Sequence, residues 1–326
     1  MPAKERLDSQ VQLVLEKLNA ARAVPAEQCE PRELRRRAWG WTEFTGVPEP
    51  VASIANRFVS GPSADIPVRV YAPSGEGPLP ALVYFHGGGW VVNNLDIVDA
   101  PCRMLANRTR CVVISVGYQK APEHKFPTAL HDAYAAFAWV SENARSLNVD
   151  PALIGVAGDS AGGNLAIGTC LLGRAQGAVV PAFQLLLYPA LDPTLASASM
   201  QRFSEGYMLT ASALRHYWDL YLRDRRDWSN PLAAPLGALD PEKFPPTVLI
   251  TAELDPLRDE GHAFGERLAC AGVQIVARQY DGMIHGFMWM AGRVDMTKQM
   301  FNDVGVDMNQ IINRLRTGSW RPARTW

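Results

Sequence analysis

The apolar run at residues 153–157 passes without a break into Gly158-Asp159-Ser160-Ala161-Gly162, and from there into a helical pattern over 161–172. A serine on a tight strand-to-helix turn needs a strained backbone, and glycines on both sides remove the side chains that would clash there. The turn lifts the Ser160 hydroxyl clear of a sheet. It also points the start of a helix at the place where negative charge would develop. The alternative is an ordinary glycine-rich turn between a strand and a helix.

The rest of the chain supplies the sheet that such a turn requires. Residues 54–60 and 66–71 read as two strands joined by Gly61-Pro62-Ser63, and further β-rich runs follow at 81–85, 111–116, 153–157, 183–188, 248–251 and 273–280. Helical patterns such as 132–143 and 161–172 lie between them. Strands alternating with helices imply parallel crossovers and helices on both sheet faces, so the fold class is α/β. The run Ala81-Leu82-Val83-Tyr84-Phe85 is apolar without alternation, as a strand buried on both faces should be.

Two segments stand outside this rhythm. Leu7, Val11, Val14, Leu15 and Leu18 recur at helical spacing, and Pro31 suits the first turn of a second helix over 31–38. An aromatic cluster, Trp39, Trp41 and Phe44, then runs into the breakers Gly46-Val47-Pro48, and no strand precedes residue 50. The other segment lies between Pro189 and Pro245 and has no convincing strand. A structureless loop of that length is improbable in a compact domain, so an inserted helical element over the sheet's carboxyl edge is expected. The domain reading is therefore an added helical leader at 1–50 and an α/β domain at 51–326, with an inserted element at about 191–240.

Composition excludes several functions. The formal net charge of -1 offers nothing to nucleic acid or to an anionic membrane, since affinity for phosphate rests on a surplus of Lys and Arg. Cys29, Cys102, Cys111, Cys170 and Cys270 are odd in number and include no Cys-x-x-Cys pair, which fits a reducing, cytoplasmic setting. The first apolar stretch is interrupted by Glu16 and Lys17 and does not read as a signal peptide. No apolar run is long enough to span a bilayer.

The remaining chemistry lies in two further motifs. His86-Gly87-Gly88-Gly89-Trp90 follows the strand at 81–85, and its uncovered backbone N–H groups, with that of Ala161, would form an oxyanion hole. A phosphate-binding loop would need a Gly-Lys-Ser/Thr ending that is missing here. His86 itself reads as a residue that orders the loop. His285-Gly286-Phe287 follows the last strand, where the chain order Ser, acid, His would put a general base. The acid must come from the loop after 248–251. Glu253, Asp255 and Asp259 are the candidates, with Asp255 best placed because Asp259 should already lie on a helix. Asp281 is close to His285 in sequence but belongs to its own loop. No His-x-x-x-His pair is present, so neither a metal nor a cofactor is expected.

Together these residues resemble the hormone-sensitive lipase-like family of α/β-hydrolases. The matching pieces are His86-Gly-Gly-Gly-Trp90, Tyr118 with Ala121-Pro122-Glu123, Gly158-Asp-Ser-Ala-Gly-Gly-Asn164, Asp255-Pro256-Leu257-Arg258-Asp259 and His285-Gly286-Phe287, in the family order. Gln119-Lys120 departs from the frequent Arg-Leu pair, and the tail after Gly318 is not part of the family pattern. The resemblance implies Ser160, Asp255 and His285 as a triad, and Gly87, Gly88 and Ala161 as oxyanion donors. It implies a cap built from the N-terminal helices and the insertion. It also implies activity on small-molecule esters with short to medium acyl chains, and a possible homodimer paired through the sheet edge. Amidase, thioesterase and lyase chemistry use the same architecture. A receptor branch of the family has lost the His that is present here as His285.

Trp90, Asp159, Tyr207 and Met208 are the candidates for substrate binding. The cap aromatics Trp39, Trp41, Phe44, Phe203 and Trp218 are expected to wall an acyl pocket with Tyr207 and Met208, because ligand sites are mostly apolar. Such a pocket should favour acyl chains of about two to six carbons, each methylene adding ~0.8 kcal/mol only while room lasts.

Overall fold

A computed structural model describes residues 6–21, 24–238 and 240–318. The leader folds into α1 (Ser9–Ala21) and α2 (Pro31–Ala38). Val11, Val14 and Leu15 of α1 and Leu34 and Ala38 of α2 are buried, so the helical periodicity of the sequence translates into packing. Pro31 occupies the first turn of α2, and Glu33 in that turn accepts hydrogen bonds from Arg36 and Arg37. The dense basic run is thus paired in part within the helix, while Arg35 reaches across to Glu123 and to the Val91 and Ala121 carbonyls of the core.

The catalytic core follows as β1 (Ser53–Ser60), β2 (Asp65–Ala72), β3 (Leu79–Phe85), α3 (Asp99–Thr109), β4 (Val112–Val116), α4 (Thr128–Glu142), β5 (Val149–Asp159), α5 (Ala161–Ala175) and β6 (Gln184–Leu187). The insertion then contributes α6 (Ala198–Arg202) and α7 (Ala211–Tyr221) with three short 3-10 turns. The chain returns as β7 (Thr247–Leu254), α8 (Arg258–Cys270), β8 (Ile275–Ile284) and α9 (Asp295–Thr317). The tail after Gly318 lies outside the described residues, as does residue 239 of the insertion.

All eight strands form one sheet in the order β1-β2-β4-β3-β5-β6-β7-β8. β2 runs against all the other strands, antiparallel to β1 and β4, and the pairs from β4 to β8 are parallel. The α/β expectation holds, and β3, β4 and β6 are buried almost throughout, as unalternating strands should be. Among the described residues no helix is long and apolar enough to cross a membrane.

Three elements differ from the sequence reading. β8 does not stop at Tyr280 but continues through Asp281 and Gly282 to Ile284, so Asp281 is an exposed strand residue rather than part of a loop. α3 is not among the helices named from the sequence; Pro101 stands in its first turn, where a proline loses no intrahelical bond. The last helix, α9, was also not read. Its buried Met300, Phe301, Val304, Met308, Ile311 and Ile312 keep helical spacing but are diluted among polar residues.

Glu260 on α8 ties the helix to the loop after β6. It is 3% exposed and accepts the Leu191 N–H at 2.7 Å. Burial pushes its carboxyl well above the usual range, with the Asp192 and Asp255 carboxylates adding to the shift. The folded protein therefore keeps a proton that the unfolded chain releases. Stability from this group is present below the unfolded pKa and lost as pH rises through the folded one. Glu260→Gln should flatten that loss. The urea midpoint of the variant is expected to fall less than that of the parent between about pH 5 and pH 9.

Candidate active site

β5 ends at Asp159 and α5 begins at Ala161, so Ser160 takes the whole turn, with φ 54° and ψ −119°. Such a backbone costs about 1–3 kcal/mol and persists only where the surroundings over-determine it. The surroundings here are close. A Cβ on Gly162 would lie 1.9 Å from the Phe85 carbonyl oxygen at the end of β3, and one on Gly158 would lie 2.2 Å from the Gly162 carbonyl. From the other side, the Ser160 N–H donates to Leu187 O at 2.8 Å, and the Ala190 N–H donates to Ser160 O at 3.1 Å. Asn164 fixes the same loop by donating to Ala190 O and Ala233 O.

The base and the acid arrive by strand register. Leu254 at the end of β7 pairs with Ile284 at the end of β8, so the next residues, Asp255 and His285, leave the sheet side by side. His285 Nδ1 is 2.8 Å from Asp255 Oδ2, and His285 Nε2 is 2.9 Å from Ser160 Oγ. Asp255 is fully buried, and its other oxygen accepts the Leu257 N–H at 2.8 Å. The rival carboxylates are engaged elsewhere: Glu253 accepts the Gly282 N–H, Asp259 accepts the Ser199 N–H, and Asp281 accepts from Gln279. The Tyr188 ring meets the His285 ring edge-on at 4.8 Å.

The oxyanion reading needs one correction. The Gly87 N–H donates to Asp159 Oδ1 at 2.7 Å, so it cannot serve a substrate oxygen, and Gly87 is not on the cavity wall. Gly88 and Gly89 line the cavity beside Ser160 and Ala161, and among the described residues neither of their N–H groups has an acceptor. The N–H groups of the glycine run that face the cavity without an acceptor are thus those of Gly88 and Gly89, not of Gly87. His86 lies behind the loop, wholly buried. Its Nδ1 sits 2.8 Å from Gly87 O, and its ring stacks on Tyr118. Burial lowers its pKa to about 3, so it is neutral near pH 7 and orders the loop rather than moving protons.

Asp159 is also corrected. It borders the cavity but is 2% exposed, and both of its oxygens are occupied, by Tyr84 Oη at 2.6 Å, the Gly87 N–H and the Trp289 indole N–H at 3.1 Å. It is a brace for the oxyanion loop, not a substrate contact. Burial raises its pKa, and those three donors oppose the rise.

A cavity of about 1110 Å3 opens over Ser160 and His285. The leader supplies Leu34, Trp41 and Phe44 to its wall, and the insertion supplies Met208, Leu209, Leu214 and Tyr217. Met208 rests its terminal methyl against Gly286, and the Tyr217 ring lies so close over Gly89 that a Cβ there would fall 2.4 Å from it. Trp90 is on the wall, but its ring is sandwiched, stacked on Tyr221 at 4.2 Å and 4.4 Å from Trp218, so it mainly joins the oxyanion loop to α7. Tyr207 does not reach the cavity; it packs edge-on against Phe203 at 5.3 Å. Phe203 and Trp218 are buried away from the cavity, and Trp39 is 48% exposed. The residues missed by the sequence reading are Tyr84, Tyr217 and Trp289. The available signals were a phenol in an otherwise apolar strand and an aromatic four residues after His285.

With this geometry in place, the likeness to known proteins is specific. The family described as alpha/beta hydrolase fold matches residues 82–289. The chain is 35% identical over 283 residues to an arylesterase of Saccharolobus solfataricus, covering 86% of this chain and 92% of that protein. It is 39% identical over 247 residues to the carboxylic ester hydrolase LipN of Mycobacterium tuberculosis, covering 74% of this chain and 66% of the relative's length. It is also similar to the structure of an ester hydrolase from the metagenome of Lake Arreo, solved with a derivative of bipyridine phosphonate, at a TM-score of 0.90 and 36% identity, covering 96% and 100% of the two chains. The chain belongs to the α/β-hydrolase fold family. The resemblance to its hormone-sensitive lipase-like enzymes, read from the motifs, is borne out.

If Asp255 orients His285, Asp255→Asn should lower ester turnover by about three to four powers of ten with the fold intact. Asp281→Asn should change it little. Steady-state rates of both variants, with circular dichroism to check folding, decide the matter; the opposite ranking excludes Asp255.

Proposed function

We propose that this chain hydrolyses small-molecule esters in two steps through an acyl-enzyme on Ser160. The chain is a carboxylic ester hydrolase, a serine carboxylesterase of its family. The observation that carries the residue assignment is the continuous Ser160–His285–Asp255 hydrogen-bond path, with Oγ–Nε2 2.9 Å and Nδ1–Oδ2 2.8 Å. A hydroxyl is a poor nucleophile until a neighbour takes its proton. Neutral His285 accepts that proton at Nε2 as Ser160 Oγ bonds to the ester carbonyl carbon. Asp255 holds the Nδ1–H tautomer and stabilises the imidazolium. The N–H groups of Gly88, Gly89 and Ala161 meet the oxyanion. Each such donor is worth about 10²–10³ in rate. His285 returns its proton to the leaving alkoxide, the alcohol departs, and a water repeats the sequence on the acyl-enzyme to release the acid.

The cap belongs to this reading. Leader residues up to 50 and the insertion at about 191–240 form one lid over a catalytic domain of 51–326, because Trp41 and Phe44 from the first and Met208 and Tyr217 from the second wall the same cavity. Binding sites of ~300–1000 Å3 suit drug-sized ligands, so the space accommodates both halves of an ester. Its acyl part takes chains of about two to six carbons. The free edge of β8, with Ile275, Val276 and Ala277 half-buried, is the surface for pairing two copies. All five cysteines are unpaired, which supports a cytoplasmic location.

Two measurements test the reading. A phosphonate should add one label to the peptide carrying Gly158–Gly162, and Ser160→Ala should lose several powers of ten in turnover of a chromogenic butyrate, since members of a triad act as a unit. A variant with near-normal turnover excludes Ser160. Deleting residues 1–45 should lower turnover and flatten acyl-length selectivity while phosphonate labelling persists. An unchanged chain-length profile in the truncated protein would remove the leader from the substrate site.

A further inference from the structure

Trp289 sits in the 3-10 turn Phe287–Met290, immediately after the His285 loop. It is 4% exposed, and its ring is on the cavity wall, 6.4 Å between centroids from Trp41 of the leader. Its indole N–H donates to Asp159 Oδ2 at 3.1 Å. The other oxygen of Asp159 takes the Gly87 N–H and the Tyr84 hydroxyl. One side chain thus joins four parts: the base loop that carries it, the nucleophile turn that carries Asp159, the oxyanion loop beyond Gly87, and the cap.

We infer that Trp289 is a positioning residue for the oxyanion hole: by holding Asp159 it fixes Gly87, and so sets the direction of the Gly88 and Gly89 N–H groups that follow. The inference rests on the hydrolase reading above and deepens it. The physical basis is the burial of Asp159. A carboxylate in a dry site needs its lone pairs satisfied, and an unsatisfied buried oxygen is costly. Burial already favours its protonated form, and the indole is one of three hydrogen-bond donors that, with the charge of His285, work against that. Without the indole, Oδ2 has no protein donor among the described residues, and the carboxyl is free to rotate away from Gly87 or to take up a proton. The loop then loses its fixed anchor one residue before the two donors. The ground-state ester does not depend on those donors to the same degree as the tetrahedral state, so the loss should appear in kcat rather than KM.

The test separates this relay from simple packing. Trp289→Phe keeps an aromatic ring against Trp41 but removes the N–H. It should lower kcat about tenfold, less than the ~10²–10³ for loss of a whole donor, with KM within about twofold. Affinity for a trifluoromethyl ketone, which adds to Ser160 to give an oxyanion, should fall by the same factor as kcat/KM. Trp289→His keeps a ring N–H and should retain more of kcat than Trp289→Phe. In an Asp159→Asn background the amide NH2 faces the indole N–H instead of accepting from it, so adding Trp289→Phe should cost nothing further. Three results overturn the inference: an unchanged kcat in Trp289→Phe, a loss confined to KM, or losses that multiply in the double variant. If Trp289→Phe does not fold, the ranking of Trp289→His against the parent in ketone affinity, with and without Asp159→Asn, gives the same decision. Should the parent turn over esters and take a phosphonate on Ser160 while Trp289→Phe loses nothing, the relay fails and the hydrolase reading stands. If the parent is not labelled at Ser160, the hydrolase reading fails and the relay falls with it.

Discussion

The reaction centre depends on how closely the start of α5 approaches the end of β3. With the Phe85 carbonyl 1.9 Å from where a Cβ of residue 162 would be, only a glycine admits that contact. The approach forces Ser160 into its left-handed turn, and the turn sets the directions of Oγ and of the Ala161 N–H together. Because the loop after β3 is His86–Trp90, the same contact brings the glycine run beside the nucleophile. Nucleophile and oxyanion donors are therefore positioned by one packing constraint, and a substitution that opened it would disturb both at once.

The acid and base are fixed differently, by hydrogen-bond register between two neighbouring strands. Pairing of Leu254 with Ile284 makes Asp255 and His285 adjacent on leaving the sheet. A shift of one residue would carry the imidazole to the other side of the strand axis. β8 is the edge strand, so its register has to be held by one neighbour and by what packs on it. The Gly282 N–H is bonded to Glu253, the Asp8 N–H donates to Gly282 O, and α9 covers the strand's apolar side. The leader thus touches the strand that leads to His285 as well as the cavity wall.

Much of this was legible in the sequence because backbone constraints write themselves as glycines and periodicity. Ser160 is placed by a strand-to-helix turn, Asp255 is favoured over Glu253 and Asp259 in the loop after 248–251, His285 is placed in the loop after the last strand, and the eight strand positions follow from β-rich runs. Side-chain braces were less legible. Gly87 looks as good a donor as Gly88 until Asp159 is seen to occupy it, and Asp159 looks like a substrate contact until Tyr84 and Trp289 are seen to enclose it. These are contacts between residues 72 to 130 positions apart, and no local pattern encodes them. In the cap, aromatic content predicted burial but not direction: Tyr207 and Met208 are neighbours, yet only Met208 meets the cavity.

The two buried carboxylates beside the serine illustrate why placement matters more than charge count. Asp255 lies beyond the imidazole, on the far side from Ser160, where in the proposed mechanism it stabilises the imidazolium as the oxyanion forms. Asp159 lies next to the serine in sequence, where an unshielded negative charge would oppose that same oxyanion. Its two oxygens are turned instead into Tyr84, Gly87 and Trp289, and its field is attractive to a charged His285. A negative group near a developing negative charge is tolerable when its lone pairs are saturated by fixed donors, one of them the Gly87 N–H of the glycine run. In the proposed mechanism the charge of Asp159 acts through geometry, holding the loop at Gly87, and the stabilisation of the transition state is left to the N–H dipoles of Gly88, Gly89 and Ala161.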